Sequence, residues 1–342
     1  MLYVSPSYYK NFICTASHCR DNCCRVDWEI ALDRQTYDQY RNAAEPFRSK
    51  LLSAVSESDG KYCISRSHGA CPLLRDDGLC EVVLTLGEEY LGFICRTHPR
   101  YINPYSDREE IGIGLACEEA ARLIMTDPEP GALDMLGSPD KSVQQEETEA
   151  YLLMRQNMTD FIAGDGELFE KIAGVLKYAE EISNCLSAEE LSAKAKEKIK
   201  PQSIGQTPCF ENISEIVQKF LEYEILDSKW INVLNSLCID LKGRSARDNS
   251  HTDELSRIFI YFLYRYFVLF ATASGALFAV KFAVVSTVLL RELFVGKSFD
   301  ERVMLAHMFS KEIEYSDENL DDLRLDMFVD EVFEIPEIMK IL

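Results

Sequence analysis

The sequence predicts a mainly α-helical protein in which a small cysteine-rich metal-binding N-terminal domain with short strands is followed by an α-helical domain. Eight of the twelve cysteines lie in four short stretches, all of them before residue 120. Thiolates at such close spacing are soft ligands suited to iron–sulfur clusters or zinc. The second half instead shows apolar residues at helical spacing, and residues 254–270 and 277–293 are apolar nearly all round. That pattern indicates helices at the buried centre of a domain.

The clustered cysteines are the strongest local signal in the chain. The run F-I-C-T-A-S-H-C-R-D-N-C-C places four of them within eleven residues, and the adjacent pair in that run cannot easily bridge because a vicinal disulfide is strained. Disulfides and inert buried thiols are the competing interpretations. Because Met1–Pro6 lacks the features of a secretory signal, we expect a cytoplasmic protein with reduced thiols. The predicted metal ligands are Cys14, Cys19, Cys23, Cys24, Cys71, Cys80, Cys95 and Cys117.

Composition and charge limit the classes of partner. The 342 residues are 47% hydrophobic and 27% charged, as in a soluble globular protein, and carry a net charge of -21. So acidic a chain is a poor binder of nucleic acid, whose phosphates require basic partners. Its acidity could attract a lysine-bearing substrate, although a solvated surface is the simpler interpretation. The uncharged run 266–280 is shorter than the ~20 residues of a membrane span, so we expect a buried helical hairpin and no membrane partner.

In the N-terminal region the pattern predicts short elements. Residues 26–32 alternate as in a strand, and Asp33 then caps a helix that presents Tyr37 and Tyr40 on one face. A short helix is expected over 81–91, a strand over 110–116 and a helix over 118–125. The Pro- and Gly-rich segment 127–140 suggests a boundary. We therefore predict a metal-cluster domain at 1–126, a helical connecting region at 127–205 and an α-helical domain at 206–342.

The remaining residues predict helices with defined boundaries. Residues 143–183 are helical by pattern, Ser187 opens a further helix that runs to about residue 198, and 211–241 form two more. The apolar helices 254–270 and 277–293 flank a turn at 271–275. Arg265 lies within this apolar sequence and needs a partner, because an unpaired buried charge is costly. Glu312 and Glu314 could pair with it, although a solvated helix pair is the expected structure for the acidic segment 312–337.

The motifs resemble those of a known family. The runs F-x-C-x4-C-x3-C-C-x3-W-x-I-x2-D, C-P-L-L-x3-G-x-C, C-R-T-H-P-R and C-E-E-A-A-R-L-I are similar to those of the flagellin lysine-N-methylase family, which belongs to a wider group described as zinc- or iron-chelating. The segments F-I-Y-F-L-Y-R-Y-F, V-K-F-A-V-V-S and S-K-E-I-E-Y-S-D-E-N-L resemble its C-terminal helices. Two positions depart from the family pattern: Glu118 stands where Pro is usual, and Tyr315 stands where His is expected.

The resemblance implies a cytoplasmic bacterial enzyme that transfers methyl groups from S-adenosylmethionine to lysines of flagellin. It also implies an iron–sulfur cluster, of the four-iron four-sulfur type, held by the cysteines, with zinc as the alternative. One such cluster needs four thiolates, so the eight cysteines either hold two centres or include spectators. No C-x3-C-x2-C run occurs, and polar methyl transfer with a structural cluster is the preferred interpretation.

Methyl transfer requires a neutral lysine, whose unperturbed pKa is about 10.4. A proton acceptor beside an apolar pocket would provide it, and the candidates are Asp33, Tyr37, Tyr40 and Glu119; each also has a structural interpretation as a cap, a core residue or a first-turn acid. Arg96 and Arg100 could grip the carboxylate of S-adenosylmethionine by two-pronged contacts, or form surface pairs. His18 and His98 lie within the cysteine runs and are expected to donate to sulfur more often than to bind metal.

Two alternatives stay open at the level of the sequence. The first is a zinc-binding protein-interaction module in which the cysteines shape a docking surface without catalysis. The second is an iron–sulfur redox protein without methyltransferase activity. Cys63, Cys185, Cys209 and Cys238 are scattered and are interpreted as ordinary thiols under every hypothesis.

Overall fold

A computed structural model describes residues 2–25, 30–65, 69–105, 107–138 and 146–342. Within this part of the chain the protein is mainly α-helical, with short strands confined to the first 137 residues, as the sequence predicts. The helices are α1 (Arg34–Arg41), α2 (Phe47–Ser53), α3 (Glu81–Thr85), α4 (Phe93–Thr97), α5 (Glu118–Met125), α6 (Glu146–Ala163), α7 (Leu168–Ser183), α8 (Ala188–Lys194), α9 (Phe210–Glu222), α10 (Ser228–Leu241), α11 (Thr252–Phe262), α12 (Ala273–Phe294), α13 (Phe299–Ile313), α14 (Asp317–Val329) and α15 (Ile335–Ile341).

The strands form two sheets in the described residues. They are β1 (Leu2–Pro6), β2 (Ile30–Leu32), β3 (Val55–Ser58), β4 (Lys61–Ile64), β5 (Arg100–Pro104), β6 (Arg108–Ile113) and β7 (Leu133–Gly137). One sheet has the order β5-β6-β1-β7 and the other the order β2-β4-β3. In the first, β1 pairs in parallel with β6, placing Leu2 opposite Arg108, and antiparallel with β7. The N-terminal strand therefore lies inside its sheet.

The chain divides into two compact units, and both are discontinuous. The helical unit comprises residues 1–11, 102–116 and 120–342, and the cysteine unit comprises residues 12–101 and 117–119. The larger segment of the cysteine unit is thus inserted in sequence between β1 and β6, and its short second segment follows β6. A division after residue 126 alone would not reveal this connectivity, because the pairing of β1 with β6 joins residues that are far apart in the sequence.

The cysteine unit has its own small core around the sheet β2-β4-β3. Tyr40 of α1 and Leu51 of α2 are buried with Ile30 and Ile64 of that sheet. Asp33 accepts a hydrogen bond from the backbone N–H of Thr36 at 2.8 Å, which confirms the predicted cap of α1. The earlier part of the predicted strand, 26–29, lies outside the described residues.

The helical unit is centred on α12, which is buried along most of its length. It packs against α7, α11 and α13. It is the one described helix long and apolar enough to cross a membrane, and 83% of its most apolar window is buried within the fold. Its first turn is capped by Thr272, whose hydroxyl accepts a hydrogen bond from Gly275 N at 3.0 Å. The predicted turn before this helix is therefore confirmed, with the boundary at residue 272.

Several element boundaries differ from the predicted ones for identifiable reasons. The predicted helix over 143–183 is broken between α6 and α7, where Gly166 adopts a positive φ of 118° that favours glycine. Residues 263–267 continue α11 as one turn of π-helix. The segment 81–91 contains only the short α3 and a 3-10 turn. Cys95, expected in a loop, lies within α4.

Candidate active site and cysteine unit

All eight clustered cysteines belong to the cysteine unit. The first four lie on the irregular segment 12–25, the next two frame the loop before α3, one lies in α4 and one directly precedes α5. The twelve cysteines carry reduced thiols, and Cys14, Cys23 and Cys95 are exposed. The unit therefore presents reduced sulfur at or near its surface, the form in which a cysteine binds metal.

One group of thiols surrounds Cys23. A hydrogen bond between the Cys23 thiol and Cys24 raises the pKa of Cys23, and the charges of Cys24, Cys14 and Cys117 raise it further. Burial raises the pKa of Cys19 to about 12, with contributions from Glu118 and Cys117. Residues separated by almost a hundred positions are therefore electrostatic neighbours in this unit.

A second group of thiols adjoins Tyr40. Burial raises the pKa of its phenol, and Cys95, Cys80 and Cys71 add to the shift. Cys71 and Cys80 pack against the core of the unit. The backbone N–H of Cys71 donates to the carbonyl of Cys24 at 2.8 Å, which brings the end of the first cysteine run beside this second group.

No group of three or more His, Cys, Asp or Glu side chains has metal-binding geometry within the residues that the structure describes. The assignment of the eight cysteines as ligands, and the secondary roles of His18 and His98, therefore stay predictions. Of the two histidines, His98 ends α4 and precedes a cis peptide bond to Pro99. His18 lies on an exposed 3-10 turn.

Glu118, the departure from the family pattern, fastens the first cysteine loop. Its carboxylate accepts a hydrogen bond from the backbone N–H of Arg20 at 2.8 Å. It also forms an ion pair with the guanidinium of Arg20 at 2.6 Å. It also accepts from the thiol of Cys19 at 3.7 Å. A proline at this position could make none of these contacts, so the substitution adds a link between the loop and the start of α5.

The catalytic candidates Asp33 and Tyr37 both lie on or beside α1. Both carboxylate oxygens of Asp33 are engaged by Thr36, whose hydroxyl donates at 2.8 Å. Hydrogen bonds from Thr36 and Phe93 hold the pKa of Asp33 low against the opposing effect of burial. Tyr37 stacks on Tyr62 with ring centroids 3.8 Å apart. These contacts agree with the structural interpretation, in which Asp33 is a helix cap and Tyr37 a packing residue. The catalytic roles of both residues stay predictions.

The exposed side of α1 borders an open cleft of about 850 Å³. Arg34 and Asp38 form an ion pair at 3.1 Å on this side, and Arg34 also donates to the hydroxyl of Tyr62 at 2.7 Å. The cleft offers a guanidinium, a carboxylate and the ring of Tyr90 to a ligand. Its volume lies in the range of small-molecule sites.

The other sequence candidates of this unit lie elsewhere. Arg96 is exposed in the last turn of α4, and Arg100 lies over the ring of Phe12 at 5.1 Å. Glu119 is half-buried in the first turn of α5. None of the three lines the α1 cleft. Their proposed roles in cofactor binding and catalysis stay predictions.

In the helical unit, Arg265 on the π-turn pairs with Glu314, as its position in an apolar helix predicts. The two side chains are 11% and 0% exposed, and Arg265 Nη1 lies 3.0 Å from Glu314 Oε2. The expectation that Glu312 and Glu314 lie on a solvated face was wrong, since both residues are buried. The reason is that the acidic segment folds inward at its start, where α13 ends.

Phenols surround this buried ion pair. The hydroxyls of Tyr261 and Tyr266 donate to Glu314 Oε2 at 2.8 and 2.9 Å. Arg265 Nη1 donates to the hydroxyl of Tyr261 at 2.6 Å. The other carboxylate oxygen, Glu314 Oε1, has no hydrogen-bond partner among the described residues. Such an oxygen is a site for an ordered water or a ligand donor.

Tyr315, the second departure from the family pattern, closes the cluster against β6. Its ring lies under the guanidinium of Arg265 at 5.0 Å. Gly114, just after β6, is the residue that allows this approach. A Cβ atom there would stand 2.3 Å from the Tyr315 hydroxyl and 2.9 Å from Arg265 Nη1. The G-I-G-L-A sequence therefore serves close packing, in agreement with its weakness as a nucleotide-binding signal.

A second buried ion pair involves β6 itself. Arg155 of α6 grips Glu110 of β6 in a two-pronged contact of 2.5 and 2.7 Å. The same guanidinium lies 4.9 Å from the ring of Tyr264. Two-pronged pairs of this kind fix geometry as well as charge. They orient α6 and the π-turn on the sheet.

A cavity of about 20 Å³, large enough for one water molecule, lies beside these residues and is lined by Tyr8, Asp127 and Tyr264, among others. Asp127 is 3% exposed, and burial raises the pKa of its carboxyl group. Its Oδ1 accepts a hydrogen bond from Glu129 N at 3.2 Å. The hydroxyl of Tyr8 is buried without a hydrogen-bond partner among the described residues. An acceptor and a phenol thus adjoin one water-sized space.

Sequence reasoning missed this part of the helical unit. The available signal was Glu110, a charge at an inward position of an alternating strand. Asp127 falls in the predicted boundary segment 127–140, and no sequence pattern singles out Tyr8. Neither residue belongs to a recognisable motif, so only the fold brings them together.

The fold and these sites define a mainly helical protein with an inserted cysteine-rich unit and a buried tyrosine–carboxylate cluster. Residues 152–341 match the family described as the FliB lysine N-methylase C-terminal domain. The chain belongs to this flagellin lysine-N-methylase family, as the motifs suggested. The matched region contains the π-turn, Arg265 and Glu314.

Three relatives show the extent of the likeness. The lysine-N-methylases of Salmonella choleraesuis and Salmonella typhimurium are each 33% identical to this chain over 136 residues, covering 37% of this chain and 33% of each relative. This chain therefore aligns with about a third of their length. The flagellar biosynthetic protein FliU of Salmonella muenchen is 32% identical over 136 residues, covering 79% of its length. No solved structure matches the chain significantly.

Proposed function

We propose that this protein is a protein-lysine N-methyltransferase that acts on flagellin in the cytoplasm, using S-adenosylmethionine and carrying an iron–sulfur cluster. The observation that carries the proposal is the family match over residues 152–341. The names of the relatives, lysine-N-methylase and flagellar biosynthetic protein, support the reaction and the substrate. The net charge of -21 suits a basic, lysine-bearing partner.

The donor chemistry of the cysteine unit fits an iron–sulfur cluster. Its eight clustered cysteines carry reduced thiols, and their electrostatic contacts sort them into two neighbourhoods, although no three of them have metal-binding geometry among the described residues. We infer that Cys14, Cys19, Cys23 and Cys117 form one set of four ligands, and Cys24, Cys71, Cys80 and Cys95 the other. Each set has the four thiolates that one cubane cluster requires. In this proposal the bound groups join loops that have little core of their own.

The volumes of the two cavities bear on where S-adenosylmethionine would bind. The water-sized cavity of the helical unit is too small for it, whereas the α1 cleft of about 850 Å³ is large enough. In that cleft Arg34 would pair with the cofactor carboxylate, and Asp38 would accept hydrogen bonds from ribose hydroxyls. When bound, the cofactor supplies an electrophilic methyl group. Arg96 and Arg100 are the alternative carboxylate partners.

The lysine must lose a proton before it attacks, and the structure offers two acceptors. Asp38 lines the α1 cleft but is half-buried and already paired with Arg34. Asp127 is buried in the helical unit, and burial raises its pKa. Because Asp127 adjoins only a water-sized space, it would serve as the acceptor only if the methyl donor bound in the helical unit rather than in the α1 cleft. A positioned base of this kind contributes about 10²–10⁴-fold to a reaction rate. Glu119, Asp33 and Tyr37 remain the acceptors proposed from sequence.

The decisive experiment is mass spectrometry of flagellin co-expressed with and without this protein. The proposal expects mass increments of 14 Da per methyl group on lysines, by the chemistry of replacing hydrogen with methyl. Asp127→Asn and Asp38→Asn then separate the two acceptors, since only the true acceptor lowers kcat while both variants keep the fold. Unmodified flagellin, together with no heat on titration of S-adenosylmethionine, would instead favour a docking module.

Metal analysis separates the two alternatives to this function. A brown, iron-loaded sample purified without air supports the cluster, and an iron-to-protein ratio near eight supports two cubanes rather than one. A colourless, zinc-loaded sample without methyl transfer would favour the zinc-binding interaction module. An iron-loaded protein that changes colour on reduction but binds no S-adenosylmethionine would favour the redox protein.

A further inference from the structure

The exposed face of α14 combines acidic and apolar side chains. Its N-terminal half presents four exposed acids: Asp317, Glu318, Asp321 and Asp322. Its C-terminal half presents Leu325, Phe328 and Val329, which are 59%, 50% and 69% exposed. Residues three and four apart share a helix face, so the apolar side chains lie directly below the acids. We name these seven residues the α14 face.

The opposite side of the helix already serves the fold. Asn319, Leu323 and Met327 are buried at intervals of four residues. Asp326 accepts a hydrogen bond from the hydroxyl of Tyr223 at 3.0 Å, and Asp330 pairs with Lys219 at 2.7 Å. Packing and these contacts fully orient α14. Three neighbouring large apolar side chains on its outer side therefore add nothing to the stability of the helical unit.

The acids of the α14 face are likewise unengaged. None of the four forms an ion pair with a described residue, although short ion pairs are frequent elsewhere on the helical unit. The one basic residue of the helix, Arg324, is directed to the rings of Phe270 and Phe278 at 5.0 and 5.8 Å. The face thus carries four uncompensated negative charges beside an exposed apolar patch. Such a combination marks an interaction surface.

We propose that the α14 face is the docking surface for a lysine-rich amphipathic segment of the protein substrate. The inference rests on the proposed function and adds to it the place where the substrate is recognised. Lysines of the segment would meet the four acids, and its apolar side chains would cover Leu325, Phe328 and Val329. An amphipathic helix laid on such a face is a common recognition mode. A second copy of this chain is a poor occupant, because each copy carries a net charge of -21.

The test measures binding directly, so that it does not depend on catalysis. Purified flagellin monomer labelled with a fluorophore is titrated with the full chain, and anisotropy gives the Kd. One variant combines Asp321→Lys with Asp322→Lys, and another combines Leu325→Ser with Phe328→Ser. The charge control combines Glu211→Lys with Glu215→Lys on the exposed side of α9, and the apolar control combines Leu186→Ser with Ile239→Ser, whose side chains are 92% and 70% exposed.

Both α14 variants are expected to weaken flagellin binding by about 10-fold or more, while both controls stay within about 2-fold of the original chain. Raising the salt to about 0.5 M should weaken the original chain more than the charge variant. Equal Kd values for the α14 variants and the controls would overturn the proposal. So would a lack of flagellin binding by the original chain, or a monomer–dimer shift caused by the α14 substitutions in sedimentation.

A methylation assay distinguishes this proposal from the proposed function. With flagellin as substrate, the α14 variants should raise KM at unchanged kcat, and with a short lysine peptide they should leave both constants unchanged. If neither substrate is methylated by the original chain, the methyltransferase proposal fails, and the anisotropy titration still decides the docking surface. If flagellin is methylated with the same KM by every variant, the docking surface is wrong and the enzyme is not.

Discussion

At the scale of single residues, the pair Arg265–Glu314 shows how the helical unit tolerates charge in an apolar core. The two groups are almost fully buried and are linked to the phenols of Tyr261 and Tyr266. Removing one charge of a buried pair leaves the other without compensation, whereas the pair as a whole can be nearly neutral in its effect on stability. The cluster therefore specifies geometry more than it adds stability.

Glu314→Ala should lower the free energy of unfolding by about 3–5 kcal/mol, because it strands the guanidinium of Arg265 in the core. Urea denaturation followed by circular dichroism measures the change. The matched control is Glu337→Ala, which breaks the pair with Lys340 and a hydrogen bond from Asn212 near the surface and should destabilise the fold much less. Similar losses for both variants would show that the buried pair is not strongly coupled to the fold.

Gly114→Ala should destabilise the helical unit, since the new methyl group would overlap the hydroxyl of Tyr315 and Nη1 of Arg265. The expected cost is about 1–3 kcal/mol, as for other overpacked core sites. Adding Tyr315→Phe removes the closest clashing atom and should recover part of the loss. Gly205→Ala, where the nearest atom would lie 3.5 Å away, is the control. A double variant no more stable than the single one contradicts this explanation.

The cysteines divide into two classes with different expected behaviour. Cys23→Ser should remove metal and solubility together, because Cys23 has other clustered thiols as neighbours. Cys185→Ser should change neither, since Cys185 lies after α7 in the helical unit with only its own helix carbonyl and nearby charges around it. Metal content by mass spectrometry and the soluble fraction are the measurements. Parallel behaviour of the two variants would contradict this division.

At the scale of elements, Glu312 is a carboxylate that holds the start of α10. Its oxygens accept hydrogen bonds from Leu226 N and Asp227 N at 2.9 and 2.7 Å. Burial raises its pKa from 4.5 to about 7, with a smaller contribution from Asp227 and an opposing one from Lys311. The folded protein therefore binds the proton more tightly than the unfolded chain does. The resulting stabilisation is complete below about pH 4.5 and is lost as the pH rises through about 7.

Glu312→Gln should remove this dependence, because the amide keeps one acceptor oxygen and cannot ionise. The Tm of the variant minus that of the original chain should increase from pH 5 to pH 8. The reason is that only the original chain acquires a buried negative charge over this range. Thermal unfolding across that range measures the difference. Glu318→Gln, an exposed change on α14, should give a constant difference. A pH-independent offset for Glu312→Gln would mean that the carboxyl group titrates normally.

The predicted elements that were confirmed are those in which local pattern and burial agree. α9 and α10 match the two helices expected in 211–241, and α5 has the predicted bounds. The partner of Arg265 could be foreseen because a buried charge must be paired. By contrast, Glu110 and Arg155 are 45 residues apart in sequence, and nothing local links them. Asp127 and Tyr8 are likewise far apart in the sequence, and only the fold brings them to one cavity.

At the scale of the whole molecule, the residues that match the family model are only part of the compact helical unit. The matched residues are 152–341, yet Arg155 pairs with Glu110 and the hydroxyl of Tyr264 donates to the carbonyl of Val4 at 3.0 Å. The fragment 152–341 expressed alone should therefore be poorly soluble. Co-expression of residues 1–151 as a separate chain should restore solubility, measured as the soluble fraction after lysis. A monomeric, cooperatively melting fragment would contradict this.

The inserted arrangement also has a consequence for biosynthesis. β1 is synthesised before β6 and β7 but lies between them in the sheet, where Leu2 is opposite Arg108 of β6 and Gly137 of β7. All the cysteines of the cysteine unit are also synthesised before α6 and the helices that follow it. In the nascent chain β1 therefore has no strand partner, and is open to aggregation, until β6 and β7 have been synthesised. The thiols of the cysteine unit are therefore available to react or to bind a ligand while most of the helical unit is still untranslated.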